Sequence, residues 1–445
     1  DAYVIYLKGR EQYRLQTTES MKQARKLFEQ AIGLDPEYAQ AYVALADTIA
    51  LLAEGIGNFG VLKTDIASQL SIQNLEKALV RQPNFAEAYA VLGRVQDMKN
   101  NISDALAAFD KAIQLNPSLA VAYLWKFSLL HNQNRDHQAF EALEVALTLD
   151  PESTSLRYNF GFELSRRGRF DEAIETYEKL IKDYPDSPMG YAGLGSVNFL
   201  TGNLASSLEN WKVALDLSPQ NQNYQYSFIS SLIALELGQF IPRFTDDPFF
   251  EESILIGDKN YAKLFSDMDF KLSAYPDDPW IKYEAAFYQM LFGDIEKASA
   301  LLLETDLLLA DIDKFVLPTC SPAVEIAWAY KEVGNEIKAN NILKQCQDIL
   351  QAARKEGIRE QQSYYLAARL ALLNGDQQAA IDYLVQAYDS GYREWWAPHD
   401  AILKPLFNDK TVKKVLFELH QSIQKERQKA LQFSFLQTPL PNIQN

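Results

Sequence analysis

A chain of 445 residues is too long to fold around one compact core, so several domains or one extended array are expected. The hydrophobic fraction of 47% and the charged fraction of 23% are those of an ordinary folded protein, and no run of 18 apolar residues is present that could span a bilayer. The net charge of −16 repels phosphate backbones, which argues against direct nucleic-acid binding by this segment.

The predicted elements are helix pairs that recur with a period of 34 residues. Five prolines mark the ends of successive pairs: Pro83, Pro117, Pro151, Pro185 and Pro219. A large apolar side chain precedes each proline, at Leu75, Phe109, Leu143, Tyr177 and Trp211. Small residues keep the same period at Ala105, Ala139, Ala173 and Ser207. Such a period is typical of stacked helical hairpins that bury a continuous core.

The residue types at these positions have physical reasons that hold for any helix pair. Gly93 and Ala105 are small, so two antiparallel helices can approach closely, and Phe109 fills the space between the pair and its neighbour. Pro117 cannot continue a helix interior and therefore ends the repeat. Gly202 stands where a first helix stops, which predicts a left-handed cap.

The same pattern extends in both directions with altered spacing. An amino-terminal repeat and a second repeat, enlarged by residues 53–70, precede the regular repeats of residues 86–221. Further along the chain, the turns at Gly293, Gly334 and Gly375 are 41 residues apart, so these repeats must have longer turns or longer helices. The sequence therefore predicts about ten repeats.

An irregular stretch at residues 238–260 interrupts the array, because its prolines and phenylalanines follow no helical period. Four segments are expected: an amino-terminal superhelix (1–237), an insertion with one helix (238–279), divergent repeats (280–394), and a capping segment with a final helix (395–445). The aromatic residues of the last segment would cover the apolar end that an array of repeats otherwise exposes.

The third repeat reads Tyr89, Leu92, Gly93, Ala105, Phe109, Ala112 and Pro117. This order of aromatic, Leu-Gly, Ala, aromatic, Ala and Pro resembles the tetratricopeptide repeat. The resemblance implies an all-α solenoid, a right-handed superhelix of antiparallel helix pairs with about ten repeats, interrupted near residues 238–260. It also implies a protein that binds other proteins or peptides and is not itself an enzyme.

No motif in the sequence points to catalysis, a cofactor or a metal. Residues 55–60 spell the dinucleotide fingerprint GxGxxG, but that chemistry needs a preceding strand, and here the glycines follow the end of a helix. The four histidines form no recognisable ligand set with the two cysteines. Cys320 and Cys346 are either a disulfide or two small buried residues. The expectation is therefore no cofactor and no catalytic residues.

The remaining candidate site is the inner face, which the first helix of each repeat lines in tetratricopeptide arrays. In repeats five to seven the inward positions predict a peptide or ligand groove of Tyr158, Phe162, Arg166, Phe199, Leu200, Asn223 and Tyr226. Other side chains already fill the core positions, so this aromatic stripe indicates a partner held by apolar or aromatic anchors. The alternative is an internal contact, in which another helix, for example from residues 240–275, covers the stripe.

Both ends of the sequence resemble a group of bacterial signalling proteins. The opening AYVIYLKGREQY and the closing residues Tyr392, Trp395, Trp396, Leu403, Leu406, Phe407, Asp409 and Leu416 resemble tetratricopeptide regions that accompany a CadC-type winged helix, a nucleotide cyclase domain or a TolB-like segment. This implies the sensory or interaction domain of a bacterial signalling or transcriptional regulator. A free-standing scaffold or assembly adaptor and the substrate-recruiting region of a larger enzyme are the alternatives.

The beginning of the chain bears on its location. No leader precedes Asp1, so we expect a piece of a longer protein. In a CadC-type membrane regulator such a region is periplasmic, and otherwise it is cytoplasmic.

Overall fold

The computed structural model describes residues 1–15, 17–53, 60–310, 314–316 and 319–437. Within these ranges the chain forms two compact units, Asp1–Leu156 and Arg157–Asn445. The division falls in the first turn of a helix and not at residue 237, where the sequence suggests the end of the first superhelix. Apart from Gly60, the GxGxxG fingerprint lies outside the described residues.

The first unit consists of consecutive helical hairpins. Its helices are α1 (Ala2–Arg14), α2 (Thr18–Leu34), α3 (Ala39–Leu51), α4 (Thr64–Arg81), α5 (Ala86–Met98), α6 (Ile102–Leu115), α7 (Ala120–Asn132) and α8 (Asp136–Leu149). The pairs α1/α2, α3/α4, α5/α6 and α7/α8 pack along their lengths, and each second helix also contacts the first helix of the next pair, as in α2/α3 and α4/α5. This is the stacking that the 34-residue period predicts.

The second unit continues with helices and holds one small strand pair. Its helices are α9 (Thr154–Arg166), α10 (Phe170–Asp183), α11 (Pro188–Leu200), α12 (Leu204–Leu217), α13 (Gln222–Ala234), α14 (Glu251–Gly257), α15 (Tyr261–Ala274), α16 (Pro279–Phe292), α17 (Ile295–Leu308), α18 (Ala323–Glu332), α19 (Glu336–Lys355), α20 (Gln361–Leu373), α21 (Gln377–Asp389), α22 (Lys410–Ala430) and α23 (Ser434–Gln437). Strands β1 (Phe315–Val316) and β2 (Ser321–Pro322) pair antiparallel between α17 and α18. The prediction of an all-α fold is confirmed.

The ends of the first helices follow the predicted period. A left-handed residue stands at each successive turn, at Asn100, Asn134, Gly168, Gly202 and Glu236. Gly202 therefore has the cap conformation that its position predicts, with φ of 79°. Two of the other turns use asparagine, the residue that after glycine tolerates this conformation best, which is why glycine alone does not mark every repeat.

The close helix contact inside a repeat is confirmed at Gly93. A Cβ atom at this position would lie 2.5 Å from the ring of Phe109, which is fully buried. Ala105, on the same helix as Phe109, is also fully buried. The glycine therefore makes room for the aromatic ring that fills the space between α5 and α6.

The longer spacing of the later repeats has two separate causes. Between Gly293 and Gly334 the added length includes the β1–β2 strand pair. Between Gly334 and Gly375 it lies in α19, which has 20 residues where α17 has 14. The alanines that follow the three turns, Ala298, Ala339 and Ala380, are all fully buried, so each keeps the helix-packing role of the regular repeats.

The irregular stretch contains two 3₁₀ helices, Gly238–Arg243 and Pro248–Phe250, followed by the short helix α14. The long helix α22 contacts both α21 and α12. Its Glu426 carboxylate accepts a hydrogen bond from the backbone N–H of Ala205 at 3.1 Å. The end of the chain thus covers the last repeat and also packs on repeat six within the same unit.

Cys320 and Cys346 form a disulfide with a Cα–Cα distance of 6.0 Å. It joins the turn between β1 and β2 to the middle of α19. Of the two alternatives that the sequence leaves open for these cysteines, the structure has the disulfide. Among the described residues, none of the helices combines the length and apolarity that a membrane crossing requires.

Candidate functional site

The first helices of unit 1 line an open cavity of about 780 Å³, here called the amino-terminal groove. Most of its walls come from α1, α3, α5 and α7, the helix that opens each pair, and the turns before α5 and α7 supply most of the rest. Four aromatic side chains line it: Tyr6, Tyr13, Phe85 and Trp125. A volume of this size is in the usual range for ligand sites in proteins, which are concave and mostly apolar with a few placed polar groups.

A hydrogen-bonded ion pair forms the polar part of the groove. The Asp47 carboxylate accepts from the Arg94 guanidinium at 2.8 Å and from the Tyr13 hydroxyl at 2.5 Å. The Arg94 guanidinium also lies over the Trp125 ring, 5.5 Å from its centroid. Burial and the neighbouring Asp47 carboxylate raise the pKa of Tyr13 well above its usual range, so this hydroxyl stays a donor.

The groove also carries uncharged hydrogen-bonding groups. Four side-chain amides line it, at Gln40, Gln82, Asn84 and Asn116. Each carboxamide offers both donors and an acceptor, the complement of a peptide backbone. Aromatic walls beside amide groups can therefore bind an extended peptide, with apolar anchors for side chains and amides for the main chain.

The predicted inner wall of repeats five to seven lies on three first helices of unit 2. Tyr158, Phe162 and Arg166 are on α9, Phe199 and Leu200 are on α11, and Asn223 and Tyr226 are on α13. The structure thus assigns all seven residues to the first helix of their repeats, as the repeat register predicts.

Part of this wall contacts the later repeats of the same unit. The Arg166 guanidinium donates to the Glu360 carboxylate at 2.7 Å, and the Leu200 carbonyl accepts from the Gln361 side chain at 2.7 Å. The backbone of the turn at Gly391 also approaches the Leu200 carbonyl. Arg166 and Leu200 therefore make an internal contact, and the segment that contacts them is the start of α20.

The other wall residues differ in exposure. The Tyr158 ring packs at 5.9 Å from the Tyr177 ring, and burial raises the pKa of its hydroxyl. Phe162 is 38% exposed, Tyr226 is 57% exposed, and Asn223 is also exposed. Of the predicted aromatic anchors, Phe162 and Tyr226 are thus the ones whose side chains a partner can reach most easily.

A buried carboxyl group at this contact predicts a pH dependence of stability. Glu394 lines a small cleft with Phe199 and Leu200, and burial raises its pKa from 4.5 to about 7, although a hydrogen bond with Gln362 opposes this. Because the folded-state pKa is the higher one, the contribution of the neutral carboxyl is fully present below pH 4.5 and is lost as the pH rises through 7.

We therefore expect the free energy of unfolding of the wild-type protein to fall as the pH rises from 4.5 through 7. The fall should be steeper than in the Glu394→Gln variant, which has no carboxyl group at this position. Urea unfolding at several pH values measures both slopes. Comparing the two proteins cancels the titration of other groups, and parallel pH profiles would contradict the assignment.

The amino-terminal groove is a site that the sequence did not predict, although the repeat pattern contains a signal for it. Phe162 occupies one inward position of its repeat on α9. The same position is occupied by Arg10 on α1, by Asp47 on α3 and by Arg94 on α5. Applying the register to the first four repeats would have placed these side chains together. Their mixed charges and the smaller number of consecutive aromatics made this face less conspicuous than repeats five to seven.

Comparison with known proteins supports the repeat assignment. Residues 69–120 and 158–222 match the family model described as tetratricopeptide repeat. Protein O-mannosyl-transferase TMTC1 of Homo sapiens is 25% identical over 191 residues, which are 42% of this chain and 20% of that protein. Transcriptional regulator HilA of Salmonella typhimurium is 23% identical over 182 residues, which are 41% of this chain and 26% of that protein. The chain thus spans about a quarter or less of these relatives.

Among solved structures, the chain is similar to that of YrrB, a tetratricopeptide-repeat protein with an unusual peptide-binding site. The identity is 21%, the TM-score is 0.32, and the match covers 45% of this chain and 96% of that one. The family match lies on helix pairs of both units, and the same 34-residue pattern governs their packing. Residues 69–120 and 158–222 are thus tetratricopeptide repeats within an all-α fold.

Proposed function

We propose that the chain is a protein-interaction module and that its amino-terminal groove binds an extended segment of a partner protein. The observation that supports this most directly is the groove itself, an open cavity of about 780 Å³ with aromatic and amide walls from the first helices of four consecutive repeats and the turns that precede two of them. Tetratricopeptide repeats generally mediate protein–protein interaction and are typically not catalytic, and this groove has the size and polarity of a binding site.

The charges in the groove favour a partner with apolar or aromatic anchors. Arg94 is already paired with Asp47, and Glu87 adds a negative charge to the lining, while Arg10 donates to the Tyr6 hydroxyl at 3.0 Å. An acidic tail would need unpaired basic groups in a row, which this arrangement does not supply. A neutral peptide with an aromatic or aliphatic side chain fits better between Tyr6, Phe85 and Trp125.

Replacing Trp125 by alanine should weaken binding by about tenfold or more, because a central aromatic anchor supplies much of the binding energy of a peptide interface. Peptides selected from a phage-displayed random library against the wild-type protein serve as probes, and fluorescence polarisation measures their affinity. Trp125→Phe retains an aromatic ring and should bind more tightly than the alanine variant. Thermal unfolding of each variant checks that the fold is intact.

The control is Phe162→Ala, which removes an accessible aromatic side chain from the inner wall in unit 2. It should leave the affinity of these peptides unchanged. The reverse result, loss of binding in Phe162→Ala and wild-type affinity in Trp125→Ala, would reject the amino-terminal groove. It would support instead a groove at Tyr158, Phe162, Arg166, Phe199, Leu200, Asn223 and Tyr226, of which Phe162 and Tyr226 would be the main contacts.

The cellular role that we propose is the sensory or interaction region of a bacterial signalling or transcriptional regulator. The similarity to the regulator HilA over 41% of this chain supports it. The similarity to TMTC1 over 42% of the chain supports the alternative of a substrate-recruiting region in a larger enzyme. Sequencing the gene on both sides of this segment distinguishes them, since a winged helix or cyclase domain supports the first role and a transferase domain the second.

A further inference from the structure

A second aromatic surface lies in unit 2, on the first helix of the repeat that follows the irregular stretch. Trp280, Tyr283, Glu284, Phe287 and Tyr288 follow one another at helical spacing on α16 and line an open cavity of about 420 Å³, here called the α16 cleft. The spacing places them on one face of the helix. This surface is separate from the amino-terminal groove.

The aromatic rings of the cleft hold one another in position. The Trp280 and Tyr283 rings meet edge to face with centroids 6.4 Å apart, and the Phe287 ring lies 6.2 Å from Tyr283 and 6.3 Å from Tyr288. Trp280 is 49% exposed at the mouth. The Ser321 side chain of the strand pair lies beside the Tyr283 hydroxyl.

The Glu284 carboxylate gives the cleft a negative charge, which the ammonium group of Lys271 compensates only in part. Burial and then the Glu284 carboxylate, one helical turn away, raise the pKa of the Tyr288 hydroxyl. Lys271 is bound directly to the Glu252 carboxylate and lies 4.0 Å from Glu284, so one ammonium group serves two carboxylates. Burial and then the Glu252 carboxylate raise the pKa of Glu284, and the Lys271 ammonium opposes them.

A further aromatic side chain from the predicted inner wall faces the same charge. Desolvation, and then the carboxylates of Glu394 and Glu284, raise the pKa of Tyr226, which lies on α13. Tyr226 is also one of the groups that raise the pKa of the Tyr288 hydroxyl. Aromatic side chains from two helices thus lie around a carboxylate that lacks a full counter-charge.

We propose that the α16 cleft binds an arginine side chain of a partner protein. A guanidinium group is planar, so it can stack on aromatic faces such as Trp280 while donating hydrogen bonds to the Glu284 carboxylate. The negative faces of the rings and the carboxylate act in the same direction, which gives a cation a specific position in the cleft. A neutral side chain gains no charge attraction from the rings or the carboxylate, and an acidic one is repelled.

Acetylated and amidated tetrapeptides, Gly-Arg-Gly-Gly and Gly-Gln-Gly-Gly, test the proposal on the full chain. The six tryptophan indole N–H signals in a two-dimensional NMR spectrum are the readout, and Trp280→Phe identifies the signal of Trp280. The arginine peptide should shift this signal and saturate, while the glutamine peptide should not. Near-physiological salt screens the general attraction of a basic peptide to an acidic chain.

Glu284→Gln keeps the reporter and should weaken binding of the arginine peptide about fivefold. Glu418→Gln, at an exposed position on α22, removes the same charge outside the cleft and should leave the affinity unchanged. Equal shifts with both peptides would show an apolar cleft without preference for a cation. Equal weakening in both variants would show non-specific attraction, and no saturable shift would show no site. Each of these results overturns the proposal.

Discussion

Arg369→Met should lower the free energy of unfolding of unit 2 by about 3–5 kcal/mol, because it leaves two carboxylates buried without their counter-charge. The Arg369 guanidinium contacts the Glu325 carboxylate at 2.7 Å and the Asp400 carboxylate at 3.1 Å. All three side chains are at most 2% exposed. Asp400 also accepts from the Tyr365 hydroxyl at 2.9 Å, so this network joins α18, α20 and the segment before α22.

Urea unfolding followed by tryptophan fluorescence measures this loss, and hydrogen exchange shows whether it is located at α18 and α20. Lys297→Met is the matched control, since it removes a lysine from the exposed ion pair with Asp269 and should change stability by about 1 kcal/mol or less. Adding Glu325→Met to Arg369→Met should recover part of the loss, because one unpaired carboxylate is then gone. Equal stability of Arg369→Met and Lys297→Met would contradict the role of the network.

The helix pairs were predictable because their determinants are local and repeated. Gly93 and Phe109 lie 16 residues apart in one hairpin, and the same contact recurs at Gly161 with Tyr177 and at Gly195 with Trp211, so the period makes it visible. The turn at Gly202 is predictable for a similar reason, since a left-handed residue at a helix end has a strong preference for glycine. Periodic patterns determine the fold class for this reason.

Contacts between distant segments have no such signal. Glu325, Arg369 and Asp400 share no spacing with the repeats, and nothing in the sequence distinguishes them from exposed charges. The hydrogen bond of Gln361 to the Leu200 carbonyl spans 161 residues and depends on how the later repeats pack against α11. The sequence could therefore name the inner wall of repeats five to seven, but the residues that cover part of it follow only from the packing of unit 2.

That packing brings the backbone of α11 and the turn after α21 unusually close together. A Cβ atom on Gly391 would lie 2.2 Å from the Leu200 carbonyl oxygen and 2.9 Å from the Thr201 Cα atom. Its φ of 103° is also a conformation that other residues avoid. Both neighbouring atoms belong to the main chain, so neither can move aside by changing a rotamer.

Gly391→Ala should therefore lower the free energy of unfolding of unit 2 by about 3–4 kcal/mol, from backbone strain together with overpacking. Gly375→Ala separates the two effects, because Gly375 has a φ of 85° but no atom near the added methyl group, and it should lose only about 1–2 kcal/mol. Urea unfolding measures both, and faster hydrogen exchange around Gln361 in Gly391→Ala alone would show that the later repeats have moved away from α11. If the two variants were equally stable, the close approach of Gly391 to Leu200 would not be a feature of the folded protein.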